Sequence, residues 1–348
     1  MTQSQAEPKP VASDFEETIR FANSQRERIR EVARQAADRH LSSIWFVGCG
    51  GSHYAQSAAH YTLTQRSRRL TSYRLNSNEF NHAQPAHLGL DSLVVVGSHS
   101  GKTPETLQAI ETARAAGAPI IVGMTRSLES PLAESVGASA AFTYESGDTV
   151  WEPKQTYFGL LAHELLSAYG DETAQETETA AAGYLALPDA LRRAIEQQDE
   201  ASHEIAVSLA GEPITYLLGA GPSEDIARCL AMCYLQEMQW MNAAAFNAGE
   251  FFHGAFEVVT ENTPVILLLG EDTSRPIAER AARFIKKYSK KSYLIDSADL
   301  ELPGVPAAAR AEVAPIALGT LVSRLAQHYE AVSGHSLDIR RYMTKVEY

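Results

Sequence analysis

Cysteine is scarce in this sequence, and positive charge is in deficit. The three cysteines, at positions 49, 229 and 233, are too few for a disulfide framework. Their scarcity favours a reducing compartment, so we expect a cytoplasmic protein. Lys and Arg number 30 against 43 Asp and Glu, a formal net charge of −13. That sign argues against a nucleic-acid partner, because binding a duplex needs positive charge that displaces counterions.

Long hydrophobic runs and several familiar catalytic motifs are also missing. No apolar stretch reaches the ~18 residues of a membrane helix, and the first ten residues lack the apolar segment of a signal peptide, so no membrane partner is expected. The glycine-rich segment at Gly48 has His53 where the dinucleotide fingerprint ends in glycine. Cys229 and Cys233 lack further ligands for a zinc set, and core packing is the better interpretation. The motif G-x-x-x-x-G-K-[ST] does not occur either, so these absences argue against a nicotinamide, a nucleoside triphosphate and a metal.

Short apolar runs alternate with helical segments along the chain, whose 348 residues are enough for two domains. Continuously apolar strands between helices are typical of a parallel sheet that helices cover on both faces, so the pattern indicates an α/β fold. The predicted strands are 44–47, 92–96, 119–122, 216–218, 265–269 and 293–295. The predicted helices include 14–40, 103–116 and 223–241.

The second half of the sequence repeats the first. Gly48 and Gly219 lie 171 positions apart, and so do Ser52 and Ser223. We read two αβα sandwich domains, with one larger doubly wound sheet as the alternative. The expected organisation is an N-terminal arm and helix, a first domain, a helical connection, a second domain and a tail, at 1–40, 41–170, 171–210, 211–330 and 331–348.

Two loops at neighbouring strand ends carry small hydrogen-bond donors. Ser98, Ser100 and Thr103 follow one predicted strand of the first half, and Ser52 follows the strand before it. At this edge of a parallel sheet the next helix points free N–H groups at a bound anion. A simple turn and N-cap would use the same residue types, but two such loops together favour anion binding. The equivalent loop of the second half, 270–274, has two carboxylates that would repel a phosphate.

One carboxylate interrupts an apolar helix face. Ile226, Leu230, Cys233, Glu237 and Met241 follow helical spacing and share one side of the predicted helix. Partial desolvation would raise the pKa of Glu237 and make it a usable base near neutral pH. A glutamate paired with a buried Arg or His fits the same pattern equally well.

A histidine and an unusual tail complete the set of candidate residues. His253 lies sixteen residues after Glu237, between aromatic residues and Gly254, a setting that suits a proton shuttle, although a lone histidine is more often a satisfied core residue. The ending 340–348 is dense in cations and aromatics, whereas terminal segments usually fray. Docking over a substrate, with Lys345 as an added cation, and fraying are equally compatible with this composition.

Taken together, these motifs resemble those of the sugar isomerase (SIS) domain family. The segments 48–52 and 98–106 are similar to the family's sugar-phosphate loops. Three further segments resemble the fructosamine 6-phosphate deglycases, most of all the fructoselysine-6-phosphate type, namely 237–240, 248–254 and 341–348. The same arrangement of motifs occurs in the isomerase half of glucosamine-6-phosphate synthase. The resemblance implies two SIS-type sandwich domains with five-stranded parallel sheets.

The resemblance also implies roles for individual residues. Glu237 would be the base, and His253 the acid that opens the sugar ring or donates a proton. Lys345 would close over the sugar. The phosphate and sugar would be held by Gly51, Ser52, Ser98, His99, Ser100 and Thr103. A homodimer is implied, with active sites shared between subunits and the histidine supplied across the interface, and no cofactor is needed.

Two departures from the family bear on the sugar contacts. His99 stands where the synthase loop usually has Gln, and Ala255 follows the His-Gly pair where Pro is common. The expected activity is a cofactor-free deglycase that cleaves a fructosamine 6-phosphate to glucose 6-phosphate and an amine. An aldose–ketose phosphosugar isomerase, or an activity like that of glucosamine-6-phosphate synthase or deaminase, would use the same residues. A phosphosugar-sensing regulator would need a basic helix-turn-helix, which residues 1–40 do not offer.

Overall fold

Helices and parallel strands alternate through the computed structural model, which describes residues 7–347. The first six residues of the expected arm, and Tyr348 of the expected tail, lie outside the described residues. The helices are α1 (Phe15–Ser24), α2 (Arg26–Asp38), α3 (Gly50–Tyr54), α4 (Ser57–Arg66), α5 (Ser77–Ala83), α6 (Pro104–Ala115), α7 (Pro131–Val136), α8 (Trp151–Ala168), α9 (Ala174–Leu209), α10 (Pro222–Cys229), α11 (Arg275–Tyr288) and α12 (Arg310–Ser333). The strands are β1 (Ser43–Gly48), β2 (Thr71–Asn76), β3 (Ser92–Gly97), β4 (Ile120–Thr125), β5 (Ala141–Thr143), β6 (Thr215–Gly219), β7 (Ala243–Asn247), β8 (Val265–Leu269) and β9 (Ser292–Asp296).

The chain divides into two compact units. The N-terminal unit holds residues 12–189 and 304–316, and the C-terminal unit holds residues 7–11, 190–303 and 317–347. Each unit is built on its own parallel sheet. The α/β class predicted from the alternating pattern is confirmed.

The sheet of the N-terminal unit has five strands in the order β2-β1-β3-β4-β5. Its central strands β1 and β3 are buried along their whole length, as expected for strands covered on both faces. The two strands run in register from the pair Ser43 and Ser92 to the pair Gly48 and Gly97. The loops that come after β1 and β3 therefore leave the sheet side by side.

The sheet of the C-terminal unit has four strands in the order β7-β6-β8-β9 among the described residues. A second five-stranded sheet was expected, and the part of the chain from 7 to 347 does not form its fifth strand. The order repeats that of the first four strands of the other sheet, so β6 corresponds to β1 and β8 to β3. Gly50 and Gly221 come after the two corresponding strands and have matching positive φ angles of 51° and 54°.

The single helix predicted over 14–40 is two helices, α1 and α2, which meet at Gln25. Side chains near the junction compete for the backbone. Asn23 donates to the carbonyls of Ile19 and Tyr184, and Ser24 donates to the carbonyl of Phe21. These local bonds favour a break that the apolar periodicity of the segment does not reveal.

The helix predicted over 223–241 changes type along its length. It is α-helical as α10 and then becomes a π-helix from Leu230 to Met238. The amide of Gln239 donates to the carbonyl of Tyr234, five residues earlier, as a π-helix requires. Trp240 then adopts a positive φ of 56°, which ends the helix. π-Helical turns are rare and are frequently found at functional sites.

The structure also bears on the cysteines and on membrane spans. No disulfide joins the three cysteines, all of which lie in the described part of the chain, and Cys229 and Cys233 are buried, as core packing predicts. Within residues 7–347, none of the helices combines the length and the apolar content needed to cross a bilayer.

Candidate active site

The loop between β3 and α6 forms a small network of hydroxyl groups. The Ser98 and Thr103 hydroxyls are 2.9 Å apart, and the Ser98 hydroxyl also accepts from the amide of Gly101 at 3.2 Å. Ser100 is exposed, and its hydroxyl accepts from the amide of Lys102. Thr103 is the N-cap of α6, and Pro104 occupies the first turn. Hydroxyls and the positive end of α6 therefore lie in one loop, as an anion site requires.

Gly101 is required by the shape of this loop. Its φ is +64°, in the left-handed region that favours glycine. A Cβ at this position would lie 2.5 Å from the Ser130 hydroxyl oxygen and 2.8 Å from that of Thr125. The loop is thus packed tightly against the neighbouring β4–α7 connection, which fixes its backbone.

Ser52 lies beside the β3–α6 loop. It is buried within the short helix α3, and its Cβ is 3.6 Å from the position that a Cβ on Gly97 would occupy. The main chains of the two loops also approach closely, since a Cβ on Gly48 would lie 3.1 Å from the carbonyl oxygen of Gly97. Gly51 faces open space, with nothing within 4 Å of the place of its missing Cβ. The structure therefore places Ser52 next to Gly97, where the Ser98–Thr103 loop begins, with Gly51 beside Ser52 in α3.

His99 is a neutral member of the same loop. Burial, helped by the charges of Lys154 and Arg126, lowers the pKa of its imidazole to about 4. Its Nδ1 is 2.6 Å from the hydroxyl of Tyr144, and the two rings stack. His99 is therefore uncharged at neutral pH and adds no cation to the loop. Lys154, a buried residue near the start of α8, was not singled out from the sequence, because nothing in its local pattern places it near residue 99.

Glu237 lies in the last turn of the π-helix in the C-terminal unit. Ile226, Leu230 and Cys233 of the predicted apolar face are buried, whereas the Glu237 side chain keeps 22% of its surface exposed. Burial raises the pKa of the Glu237 carboxyl above its ordinary value, and Arg340 opposes part of that rise. The Nε of Arg340 donates to Oε1 of Glu237 at 2.8 Å. The two interpretations of Glu237 from the sequence, a partly desolvated carboxylate and a carboxylate paired with an arginine, therefore both apply.

Arg340 belongs to the C-terminal tail, which we define as residues 334–347. The tail is largely exposed, but its first half is attached to the end of the π-helix. The guanidinium of Arg341 lies 4.3 Å from the Trp240 ring centre, and Gln239 donates to the carbonyl of His335. A shallow cavity of about 420 Å³ lies between these elements, lined by 236, 237, 240–242 and 340–343. This part of the tail is therefore packed against the π-helix and not frayed, while docking over a substrate stays a prediction.

Lys345 does not reach the Glu237 carboxylate in this arrangement. Its amino group donates to the carbonyl of Arg340 within the tail. The residue that meets Glu237 is Arg340, for which no role was predicted from the sequence. Its only signal in the sequence was its place in a tail dense in cations.

His253 is exposed at the end of a 3₁₀ turn, Glu250–His253, in the C-terminal unit. The interpretation of this residue as a satisfied core histidine is therefore wrong. Its neighbours are apolar: Phe251 is fully buried, and the Arg280 guanidinium covers the Phe252 ring at 4.1 Å. The turn is anchored by these rings while the imidazole points away from the core.

Comparisons with known proteins agree with these features. The SIS domain profile matches residues 39–145. The chain is 34% identical to the fructosamine deglycase FrlB of Bacillus subtilis over 88% of this chain and 93% of that protein. It is 27% identical to the fructoselysine 6-phosphate deglycase of Escherichia coli over 90% of this chain and 89% of that enzyme.

A solved structure is similar over almost the whole chain. It is a Bacillus subtilis protein described as a candidate phosphosugar isomerase, with a TM-score of 0.87 and 32% identity, covering 94% of this chain and 99% of that one. The chain therefore belongs to the SIS domain family of enzymes, as its motifs predict.

Proposed function

We propose that this chain is a cofactor-free deglycase that converts a fructosamine 6-phosphate into glucose 6-phosphate and a free amine. The single observation that carries the proposal is a partly buried carboxylate, Glu237, in a chain that also has a hydroxyl-lined loop suited to a phosphate. The identity to a fructosamine deglycase over most of both chains supports the same reaction.

The proposal assigns substrate binding to loops of the N-terminal unit. Ser52, Ser98, Ser100 and Thr103 donate to the phosphate, with Gly51 leaving room for it. His99 is neutral and available to a sugar hydroxyl through Nε2, since Nδ1 is engaged by Tyr144. Anchoring the phosphate aligns the far end of the sugar, which lowers the entropic cost of reaction.

The proposal assigns proton transfer to the C-terminal unit. His253 helps to open the sugar ring. Glu237 removes a proton from C1, which gives an enolamine, and returns the proton at C2, which gives an imine. Water adds to the imine, and the adduct breaks down to glucose 6-phosphate and the amine. A base with a raised pKa suits this task, because it holds the proton between the two steps.

The decisive experiment is a panel of fructosamine 6-phosphates with glucose 6-phosphate release as the readout. Glu237→Gln should lower the rate by about 10³-fold, within the range typical of a placed base, while substrate still binds. A matched control is Glu250→Gln, an exposed glutamate three residues before His253. A Glu237→Gln enzyme of near-normal rate would remove Glu237 from the mechanism.

A phosphosugar isomerase is the second candidate, because the similar Bacillus subtilis structure carries that description and the same base would serve. Incubation with glucose 6-phosphate and fructose 6-phosphate separates the two functions. Interconversion of these sugars without amine release from any fructosamine 6-phosphate would favour the isomerase.

We further propose a homodimer whose active sites share residues between subunits. The exposure of His253 in a single chain supports this arrangement, since an acid in a finished site is normally enclosed. Mixing and refolding Glu237→Gln with His253→Ala should restore activity, because one site of a mixed dimer then has both groups. Two inactive variants that stay inactive when mixed would refute the shared site. We place the enzyme in the cytoplasm, in keeping with its few cysteines and their lack of disulfides.

A further inference from the structure

The guanidinium of Arg340 is fixed from the side of the tail. Its Nη1 donates to the carbonyls of Leu337 at 2.6 Å and Ile339 at 3.2 Å, while Nε donates to Glu237. Only 20% of the Arg340 side chain surface is exposed. The long side chain is therefore already ordered by its own backbone when it meets the carboxylate.

The contact uses one oxygen of Glu237 and leaves the other available. Oε1 accepts from Arg340, and among residues 7–347 no group donates to Oε2. A carboxylate held in this way has one fixed oxygen and one oxygen that is free to take a proton. That is the arrangement expected of a positioned base, in which hydrogen bonds set the orientation of the reacting group.

The segment that leads to Arg340 is tied to Gln239, two residues after Glu237, and to α12. Ser333 donates to the side-chain carbonyl of Gln239, whose amide group donates to the carbonyl of His335. The amide of Leu337 donates to Glu330, a residue of α12 that also pairs with Lys9. These bonds fix the path of residues 333–337 and so the approach of Arg340.

We propose that Arg340 is a positioning residue for Glu237, which keeps the carboxylate ionised and turned so that Oε2 faces the proton to be removed. This inference rests on the proposed function of Glu237 as the base. It assigns the tail a part in proton transfer that differs from closing over the sugar, the role implied for Lys345.

The effect of the Arg340 charge on Glu237 can be separated from the effects of the neighbouring cations. Burial raises the pKa of this carboxyl, and Arg340 is the group that lowers it. Arg341, the next residue, lies over the Trp240 ring instead, and Lys345 donates to the Arg340 carbonyl. Loss of the Arg340 charge should therefore raise the pKa of the Glu237 carboxyl further.

The test compares Arg340→Gln, Arg340→Lys and the matched control Arg341→Gln, which removes the same formal charge from the adjacent position. The acidic limb of kcat/KM against pH should move up by about one pH unit in Arg340→Gln. Arg340→Lys should keep the limb near its normal position but lower kcat about tenfold, because an ammonium group lacks the planar geometry that fixes the carboxylate. Arg341→Gln should leave the limb in place.

A direct titration keeps this test separate from the proposed function. The carboxylate infrared band of Glu237, taken as the difference between each enzyme and its Glu237→Gln form, reports the pKa without turnover. An unchanged titration in Arg340→Gln would overturn the inference even if deglycase activity is found. A faster Arg340→Gln enzyme would also overturn it, since the ion pair would then mask the base. A raised titration in a protein that releases no amine would leave the electrostatic role standing and reject the deglycase.

Discussion

The β3–α6 loop of one unit and the β8–α11 loop of the other leave corresponding strands but carry opposite chemistry. In the first, hydroxyls bond to one another and to a loop amide. In the second, Oδ1 of Asp272 accepts from the amide of Ser274, and Oδ2 has no hydrogen-bond partner among the described residues. The first loop offers donors that suit the proposed phosphate site, whereas the carboxylates of the second would repel a phosphate. The shared topology puts a loop at the same position in both units, and the side chains of that loop determine whether it can bind an anion.

The loops that follow β1 and β6 are more alike than the loops that follow β3 and β8. After β1 and β6, the corresponding glycines Gly50 and Gly221 have matching positive φ angles, and Ser52 and Ser223 are both buried. The two units therefore retain a common first loop. The anion site that we propose for the N-terminal unit therefore depends on the residues between β3 and α6.

Among the changes that test the contrast between the two loops, Gly101→Ala should have the largest effect, and it acts on stability. The left-handed backbone and the contact with Ser130 should cost about 3 kcal/mol in the free energy of unfolding. Gly170→Ala is the control, because its φ is +72° but nothing lies within 4 Å of the new Cβ, so about 1 kcal/mol is expected. Urea denaturation measures both. Equal losses would show that the packing of the β3–α6 loop is not the feature that requires glycine.

Ser100→Asp should make the β3–α6 loop resemble the β8–α11 loop, which carries carboxylates. A carboxylate at this exposed position should weaken the binding of glucose 6-phosphate about 50-fold, since like charges repel at close range. The fold should persist, because an aspartate can still accept from the amide of Lys102. Calorimetric titration gives the dissociation constant. A change of less than threefold would mean that the phosphate binds elsewhere.

His99→Gln should flatten the loss of stability in acid. The folded pKa of His99 is about 4, below the ordinary 6.5, so the unfolded chain binds the proton more readily. Stability is therefore lost as pH falls from 6.5 toward 4, by about 1 kcal/mol per pH unit for one histidine. His53 and His60 also have pKa values of about 4 and will maintain part of the slope. Denaturation at several pH values measures the slope of unfolding free energy against pH. A His99→Gln variant with the same slope as the unchanged protein would contradict this account.

Asp272→Ser should have the smallest effect. Serine can replace the aspartate oxygen that accepts from the Ser274 amide, so a change of about 0.5 kcal/mol in unfolding free energy is expected. Affinity for glucose 6-phosphate should stay the same, because this loop is not the proposed site. A clear change in affinity, seen by the same calorimetry as for Ser100→Asp, would erase the contrast between the two loops.

The buried strands and the position of the β3–α6 loop were predictable because their signals are local. β3 and β8 are runs of branched apolar residues, and the glycine and hydroxyl residues come directly after β3 in the sequence. By contrast, β2 and β7 were not among the predicted strands. β2 is only partly buried, and β7 is rich in alanine, so neither has the continuous apolar run of a central strand.

The environment of Glu237 could be predicted only in part. Its apolar neighbours reveal partial burial, but the π-helix depends on hydrogen bonds that periodicity does not encode. Arg340 lies 103 residues away in the chain, and only the tertiary fold brings it to the carboxylate. The exposure of His253 likewise depends on how Phe251 and Phe252 pack against the distant residues Phe284 and Arg280, which the local sequence does not reveal.

The π-helix has a consequence for sequence alignment. In an α-helix each amide donates to the carbonyl four residues earlier. In the π-helix Leu230–Met238 the amides donate to the carbonyl five residues earlier, so each turn contains more residues. Counting forward from Ser223 by α-helical steps therefore misjudges the direction of Glu237. A relative with an uninterrupted α-helix here would match only with a one-residue gap before this glutamate, and a gap-free pairing would equate it with the wrong position.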